Sequence, residues 1–446
     1  MNRNRIIAAL LPALALAACG ETAKQSVEAG TGPNPVLLPE VHKMIPTAKV
    51  FDAAGWPAGT TPIAAPGLKV AAFASGLVHP RWMLVLANGD LLVAETGSPG
   101  TDPGPGGIKG IVQKQLFKKA GSDAPNANRI TLLRDTNGDG IADQRSVLIG
   151  GLMSPFGMAV VGDQLYIANA DAVVAVPFTP GQTKIDAKPR LVTTLPGQRN
   201  HHWTKSLVAS PDGKHLYVGV GSNSNVAENG MGEEAGRAAI WEIDPATGAH
   251  RIYASGLRNP VGIKFNPASG QLWTSVNERD ELGSDLVPDY FTSVKQGGFY
   301  GWPYSYYGQH VDGRVKPQRP DLVASAIKPD YALGPHTASL GLTFSAGAKL
   351  GDRFANGAFI GQHGSWNRNP PSGYRVIFVP FAGAMPSDRP VEVLTGFLVG
   401  DKAYGRPVGV EIAKDGALLV ADDVGGMVWR VTPAATPAAA PKVASR

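Results

Sequence analysis

Short apolar runs recur along the chain, each followed by a turn carrying Gly or Asp and then by a second run rich in β-branched or aromatic residues. The signals are Asn88-Gly89-Asp90 before Leu91-Leu92-Val93, Gly162-Asp163 before Leu165-Tyr166-Ile167, and Asp212-Gly213 before Leu216-Tyr217-Val218. Later copies are Ser269-Gly270 before Leu272-Trp273-Thr274, Asn356-Gly357 before Phe359-Ile360, and Asp415-Gly416 before Leu418-Leu419-Val420. Each reads as a β-hairpin, because these turn residues tolerate the backbone that tight connections between strands demand. Six copies at spacings of roughly 50 to 90 residues suit a repeat architecture better than separate small domains. No long amphipathic helix and no strand-helix alternation accompanies them, which disfavours a parallel α/β fold. A four-stranded sheet leaves an apolar face exposed until neighbours cover it, so radial repetition is the economical arrangement. The pattern predicts an all-β fold, a six-bladed β-propeller over residues 61–432. The intervals from Gly97 to Asn128 and from Asn277 to Gly334 predict long loops crowding one end of a central channel.

The two ends of the chain break this pattern. Arg3 and Arg5 precede an apolar run from Ile6 to Ala18, and Leu16-Ala17-Ala18-Cys19 resembles a bacterial lipobox. Residues 1–18 are therefore expected to be a lipoprotein signal peptide, with Cys19 lipidated; the run is too short to span a bilayer. That predicts a protein on the periplasmic side of a bacterial membrane, the outer membrane by preference, touching lipid only through Cys19. Residues 19–60, with Pro33, Pro35, Pro39 and Pro46, read as a tether and irregular lead-in. Residues 433–446 are Ala/Pro-rich and are expected to be a disordered tail. Composition narrows the classes further. A chain of 446 residues with 43% apolar content can bury a large core, and one Cys excludes an internal disulfide. The formal charge of +5 falls to +3 without Arg3 and Arg5, so nucleic acid is not an expected partner.

The densest chemistry lies in Asn200-His201-His202-Trp203-Thr204-Lys205, Gly256-Leu257-Arg258-Asn259-Pro260, Asn277-Glu278-Arg279-Asp280 and Gly297-Gly298-Phe299-Tyr300-Gly301-Trp302-Pro303. With these motifs the sequence resembles the soluble glucose/sorbosone dehydrogenases that use pyrroloquinoline quinone (PQQ), and among them the sorbosone dehydrogenase-like branch. The resemblance covers about Gly67 to Thr432 and is strongest from His201 to Pro303. It implies a six-bladed propeller with PQQ and Ca²⁺ on the channel axis. It also implies oxidation of a sugar hydroxyl or aldehyde hydrate, with electrons passed to an external acceptor such as a cytochrome or quinone carrier.

Carried over by position, the resemblance makes His202 the general base and Arg258 and Asn259 the pair at the quinone oxygens. An imidazole with an ordinary pKa near 6.5 suits the first role at neutral pH, and a fixed guanidinium suits a developing oxyanion. The main-chain carbonyls of Glu278 and Arg279 fall where the family holds Ca²⁺, in place of its Gly-Pro. Arg406 matches one of two family arginines for the cofactor carboxylates, Val408 stands at the second, and Arg368 lies where the family has Lys. A substrate-facing Gln is replaced within Ser154-Pro155-Phe156-Gly157, and His336 and His363 are further candidates for the channel mouth.

Independently of the resemblance, Asp135, Asn137, Asp139 and Asp143 alternate oxygen donors around Gly138 and Gly140 like the start of a Ca²⁺ loop. The terminal Glu of an EF-hand is missing, so any Ca²⁺ there is structural. No Cys-x-x-Cys-His attaches a haem, and no Gly-x-Gly-x-x-Gly opens a helix for a nicotinamide cofactor. Two other readings stay open: a Ca²⁺-dependent lactonase-type hydrolase working through His201 and His202, and a propeller that binds carbohydrate or protein without catalysis.

Overall fold

The computed structural model describes residues 20–434 apart from 42–46, 105–109, 111–113, 117 and 122–123. The expected signal peptide and Cys19, and the tail from residue 435 onward, lie outside the described residues.

Among the described residues the fold is mostly β, with helix confined to Pro320–Ser325, a few residues between 110 and 119 and two 3₁₀ turns. Six sheets of four or more strands follow one another along the chain, each antiparallel with strands in sequence order except for an outer strand that the fourth, fifth and sixth take from the start of the chain. The first holds Pro80–Val85, Leu91–Glu95, Arg129–Arg134 and Gln144–Ile149; the second Met158–Val161, Gln164–Ala168, Ala172–Pro177 and Arg190–Thr194. The third holds Leu207–Ala209, Leu216–Val220, Ala239–Ile243 and His250–Ser255; the fourth Pro260–Phe265, Leu272–Val276, Pro288–Ser293 and Tyr331–Pro335. The fifth begins with Ser339–Phe344 and Gly357–Gln362, and the sixth with Pro407–Ile412 and Leu418–Asp422. Five of the six turn signals fall between the first two strands of a different sheet, and the remaining one, Asn356-Gly357, runs into the second strand of the fifth.

The sixth sheet takes its outermost strand from the other end of the chain: Leu68–Ala74 pairs antiparallel with Met427–Pro433. This joins the first and last parts of the body, so both termini of the repeat are held by ladder hydrogen bonds rather than left as edges.

Apolar side chains fill the space between successive sheets. Trp82, Leu92 and Leu132 of the first sheet pack with Phe156, Leu165 and Val174 of the second. Trp273 and Phe291 of the fourth meet Leu342, Ile360 and Ile377 of the fifth. Phe73, Leu419 and Val428 of the sixth return to Met83, Leu91 and Val93 of the first. Each large side chain so buried stabilises the fold by about 1.5–3 kcal/mol. The first strands of neighbouring sheets touch in ring order, and backbone must come close to backbone there. At Gly341 a Cβ would collide with the Val408 carbonyl of the next sheet, which is why that strand carries a glycine inside its pleat.

The lead-in is packed along the body. Thr31–Gly32 adds to the fourth sheet beside Tyr331–Pro335, the Ala23 amide donates to the Asn369 carbonyl (2.7 Å), and the Val41 amide donates to the Leu282 carbonyl (3.0 Å). Residues 20–41 are thus fastened where a free tether would make no such bonds. At the far end, Pro433 closes the strand that pairs with Leu68–Ala74, and the Ala434 amide donates to the Gly67 carbonyl, so the expected tail boundary shifts beyond them.

Candidate active site

Because the first two strands of each sheet are antiparallel, the residue before the first strand and the residue after the second lie at the same end. Those positions hold His79 and Thr96, Gly157 and Asn169, Ser206 and Gly221, Asn259 and Asn277, Ala338 and His363, and Arg406 and Asp423. Bonds between sheets tie this end together. The Ser222 amide donates to the Arg258 carbonyl (2.8 Å), Asn200 Nδ2 donates to the Ala170 carbonyl (2.9 Å), and Arg81 Nη1 donates to Asp423 Oδ2 (2.7 Å).

His202 lies in the segment leading into the third sheet. Its Nδ1 is 2.8 Å from the Ser222 carbonyl and 3.0 Å from Ser222 Oγ. A carbonyl only accepts, and Ser222 Oγ donates its own proton to the Ser224 carbonyl (2.7 Å). The proton on the ring therefore sits on Nδ1, and Nε2 carries the lone pair. Burial drives the ring's pKa well below its ordinary value, with the Arg258 guanidinium next and smaller contributions from His201 and Lys205 in the same direction. His202 is a neutral base at physiological pH, with no carboxylate paired to it among the described residues. His201 faces away: its Nδ1 is 2.8 Å from Asp102 Oδ2.

Gly221 sets how closely this imidazole approaches its neighbour. A Cβ there would stand 2.5 Å from both Asn259 Oδ1 and His202 Cβ. Asn259 Oδ1 is buried without a hydrogen-bond partner, an acceptor left open beside the base.

Arg258 is placed differently from the expectation. Its Nε donates to the Asn225 carbonyl, Nη1 to the Asn277 and Glu278 carbonyls (3.3 and 2.7 Å), and Nη2 to Asn225 Oδ1 (3.0 Å) and Asp280 Oδ2 (3.4 Å). All five N–H groups are engaged, so none remains for a quinone oxygen. The side chain, 1% exposed, ties two loops together and acts on His202 through its charge.

The same bonds bear on the expected Ca²⁺ site. The Glu278 carbonyl already receives the Arg258 guanidinium, so a dication on that oxygen would compete with a fixed cation. Arg279 turns its side chain to Asp312 (3.0 Å). The residues as placed do not fit Ca²⁺ at Glu278 and Arg279. The Asp135–Asp143 loop is likewise self-contained. Asp135 accepts from the Gly138 and Gly140 amides, Asn137 from Asp139, Asp139 from Ile141, and Asp143 from Thr136. These bonds close an ordinary hairpin turn. No group of three or more His, Cys, Asp or Glu suited to a metal occurs among the described residues.

Arg368 does not reach the mouth. Buried to 1% exposure, it donates to the Pro370 and Gln25 carbonyls (2.8 and 2.9 Å) and lies 3.5 Å from Asp285, fastening the lead-in. His336 is also committed, with Nε2 at the Gly283 carbonyl (2.8 Å) and Nδ1 at Asn367 (3.1 Å).

Arg406 does stand at the mouth. Its guanidinium lies over the Tyr374 ring (5.2 Å) and its Nε is buried without a partner. Around it gathers a group of which the sequence offered only His363: Asp423 accepts from Arg81 Nη1 (2.7 Å) and pairs with His363 Nε2 (2.9 Å) and His79 Nε2 (3.5 Å). Arg81 lies over the Trp203 ring (5.7 Å), next in sequence to His202, and its Nε too has no partner. With both histidines pushed toward the neutral form by burial, two arginines against the Asp423 carboxylate leave an excess of positive charge at this rim, a chemistry for an anionic ligand.

Residues 64–429 match the family described as a domain of unknown function, DUF7133. The chain belongs to the DUF7133 family. It is also 29% identical over 292 residues to an uncharacterised protein of Borreliella burgdorferi, covering 63% of this chain and 76% of that one. To the pyrroloquinoline quinone-dependent pyranose dehydrogenase of Coprinopsis cinerea it is 25% identical over 438 residues, covering 81% of this chain and 53% of that protein. This DUF7133 chain thus spans about half the length of that dehydrogenase. The holo PQQ domain of the same Coprinopsis enzyme superposes with a TM-score of 0.67 at 22% identity, covering 86% of this chain and 100% of that domain. DUF7133 here is therefore related in sequence to PQQ-dependent sugar dehydrogenases and shares their fold.

Proposed function

We propose that this DUF7133 protein is a PQQ-dependent oxidoreductase acting on the hydroxyl or aldehyde hydrate of a sugar of the aldose or sorbosone type. In this reading the six sheets are the blades of a propeller, and the site lies where their paired strands end. The observation that carries it is the His202 ring, held by Nδ1 with Nε2 free, at the same end of the sheets as the unpartnered Nε–H groups of Arg81 and Arg406. The relatives support the choice of cofactor, and the donors fit it: a tricarboxylate calls for fixed cations with unused N–H groups. When bound, the quinone supplies a two-electron acceptor.

The chain's own residues do the rest. Arg81 and Arg406 bind carboxylate, Asn259 Oδ1 accepts a hydrogen bond from the ligand, and Trp203 offers a flat apolar surface beside the base. His202 Nε2 takes the substrate hydroxyl proton, and the Ser222 carbonyl steadies the imidazolium through Nδ1. As further parts of the proposal, an external carrier accepts the electrons, and Cys19 tethers the protein on the periplasmic side of a membrane. Cofactor-free protein titrated with PQQ should show a saturable difference spectrum and then reduce a dye in the presence of aldoses. Lactone hydrolysis without PQQ, or no binding at all, would overturn the reading.

A further inference from the structure

Directly behind the His202 segment lies a lysine with no access to solvent. Lys205 is 0% exposed in the interior between the second and third sheets, where burial and then Arg237 push its amine well below the usual lysine range against the opposing charge of Asp171. A lone buried ammonium would be strongly unfavourable, so its partners matter. Nζ donates to Asn200 Oδ1 (3.0 Å), the Trp203 carbonyl (3.1 Å) and the His202 carbonyl (3.3 Å). Those three acceptors match the three protons of an ammonium, and all belong to the one segment 200–203.

Arg237 completes the arrangement from the loop that precedes the strand Ala239–Ile243. Its Nη1 donates to Asn200 Oδ1 (3.3 Å) and the Gly221 carbonyl (3.4 Å), so Asn200 is shared between two cations and Gly221 is held against the same floor. The Gly157 amide donates to the Lys205 carbonyl (2.9 Å), which fixes the lysine backbone to the second sheet. The His202 segment has no regular secondary structure, so these bonds replace a ladder.

We propose that Lys205 is a positioning residue: by gathering Asn200, His202 and Trp203 around one ammonium it fixes the direction in which His202 Nε2 points and keeps Trp203 beneath Arg81. The inference rests on the preceding assignment of His202 as the base, and it adds a second effect through charge. The groups facing Lys205 are Arg237 and, as the one carboxylate acting on it, Asp171. Those acting on His202 are Arg258, His201 and Lys205 itself, with no carboxylate opposing them. A cation behind a base favours its neutral form, so the ring remains a base into mildly acidic solution.

The experiment compares Lys205→Met and Lys205→Arg with the unaltered chain. The first readout is the His202 titration followed by imidazole NMR in cofactor-free protein; the second is turnover with PQQ. In Lys205→Met the His202 titration should move up only by the small part that Lys205 contributes, burial and Arg258 still holding the ring below its ordinary value, and kcat should fall by about 10²-fold with misplacement of the base. Lys205→Arg keeps the charge but alters the reach, so the titration should stay while kcat falls. An unmoved His202 titration together with near-normal turnover in a folded Lys205→Met would overturn the proposal. If that variant does not fold, Lys205→Arg decides, and normal turnover there would overturn it. A chain without PQQ activity would sink the assignment of function alone, because the NMR titration still reports on Lys205 and His202.

Discussion

Two histidines, His202 and His363, stand at the same end of the sheets, and their surroundings differ in one decisive respect. His202 uses Nδ1 on a main-chain carbonyl and leaves Nε2 open. His363 uses Nε2 on Asp423, which also holds Arg81 and His79. Both rings are pushed toward the neutral form, first by burial and then by nearby cations, and His363 is lowered to about 4. A low pKa alone therefore does not mark a base. What separates them is which nitrogen the neighbours occupy: one imidazole leaves Nε2 open, and the other spends it on the carboxylate that also holds Arg81.

The sharpest way to break this contrast is to remove each ring in turn. His202→Ala should lower kcat by about 10² to 10⁴ while PQQ still produces its difference spectrum, because no cofactor donor is lost. His363→Ala should instead weaken PQQ binding by disturbing Asp423 and Arg81, with a smaller change in kcat at saturating cofactor. Parallel measurement of spectral titration and turnover checks both, and equal losses of kcat in the two variants would erase the distinction.

Acid stability tests the structural side of the pair. With its folded pKa lowered to about 4 from 6.5, His363 stays neutral in the folded chain between those values while the unfolded chain takes up a proton. More protons on the unfolded state mean that stability rises with pH across that window and is lost on acidification, by about 3 kcal/mol at full extent. Asp423, held well below the usual carboxylate range, adds a loss of the same sign at lower pH. Asp422 opposes it: burial raises that carboxyl to about 6, so its contribution falls as pH rises through the same region. The expectation therefore concerns the difference between chains. His363→Gln should lose less stability than the unaltered protein between pH 6.5 and 4.5 in denaturant unfolding, and identical slopes would show that burial of this ring is immaterial.

The parts of this site visible in the sequence were those announced by local patterns. Six turn signals located six hairpins because a tight turn is decided by two or three neighbouring residues. His202, Asn259 and Arg406 stood in recognisable motifs, and the latter two precede a Pro that opens a first strand. His79 precedes Pro80 in the same way, and that recurrence was the signal by which His79 and Arg81 could have been found. Asp423 carried no such mark, since its role exists only when the first, fifth and sixth sheets converge on it. Arg258 was read as a ligand to the quinone because sequence cannot count acceptors; the fold surrounds it with carbonyls from loops at 225 and 277–278. Arg368 failed for a related reason, as its partner Gln25 lies 343 positions away.

The smallest test acts on a single hydrogen. Gly221 lies between the His202 backbone and Asn259, and a methyl group there would stand 2.5 Å from His202 Cβ and from Asn259 Oδ1. No flexible chain end is available to yield: one contact is the root of the imidazole and the other a buried amide fixed at the start of a strand. Gly221→Ala must therefore push the base and the open acceptor apart by several tenths of an ångström, at a cost of about 1–3 kcal/mol in stability. The same displacement should lower kcat, while the Asp423 group keeps its affinity for anions. Turnover and PQQ titration on one preparation distinguish the two. If kcat and the melting temperature both stayed at their original values, the close approach of His202 and Asn259 would not be what prepares this site for proton transfer.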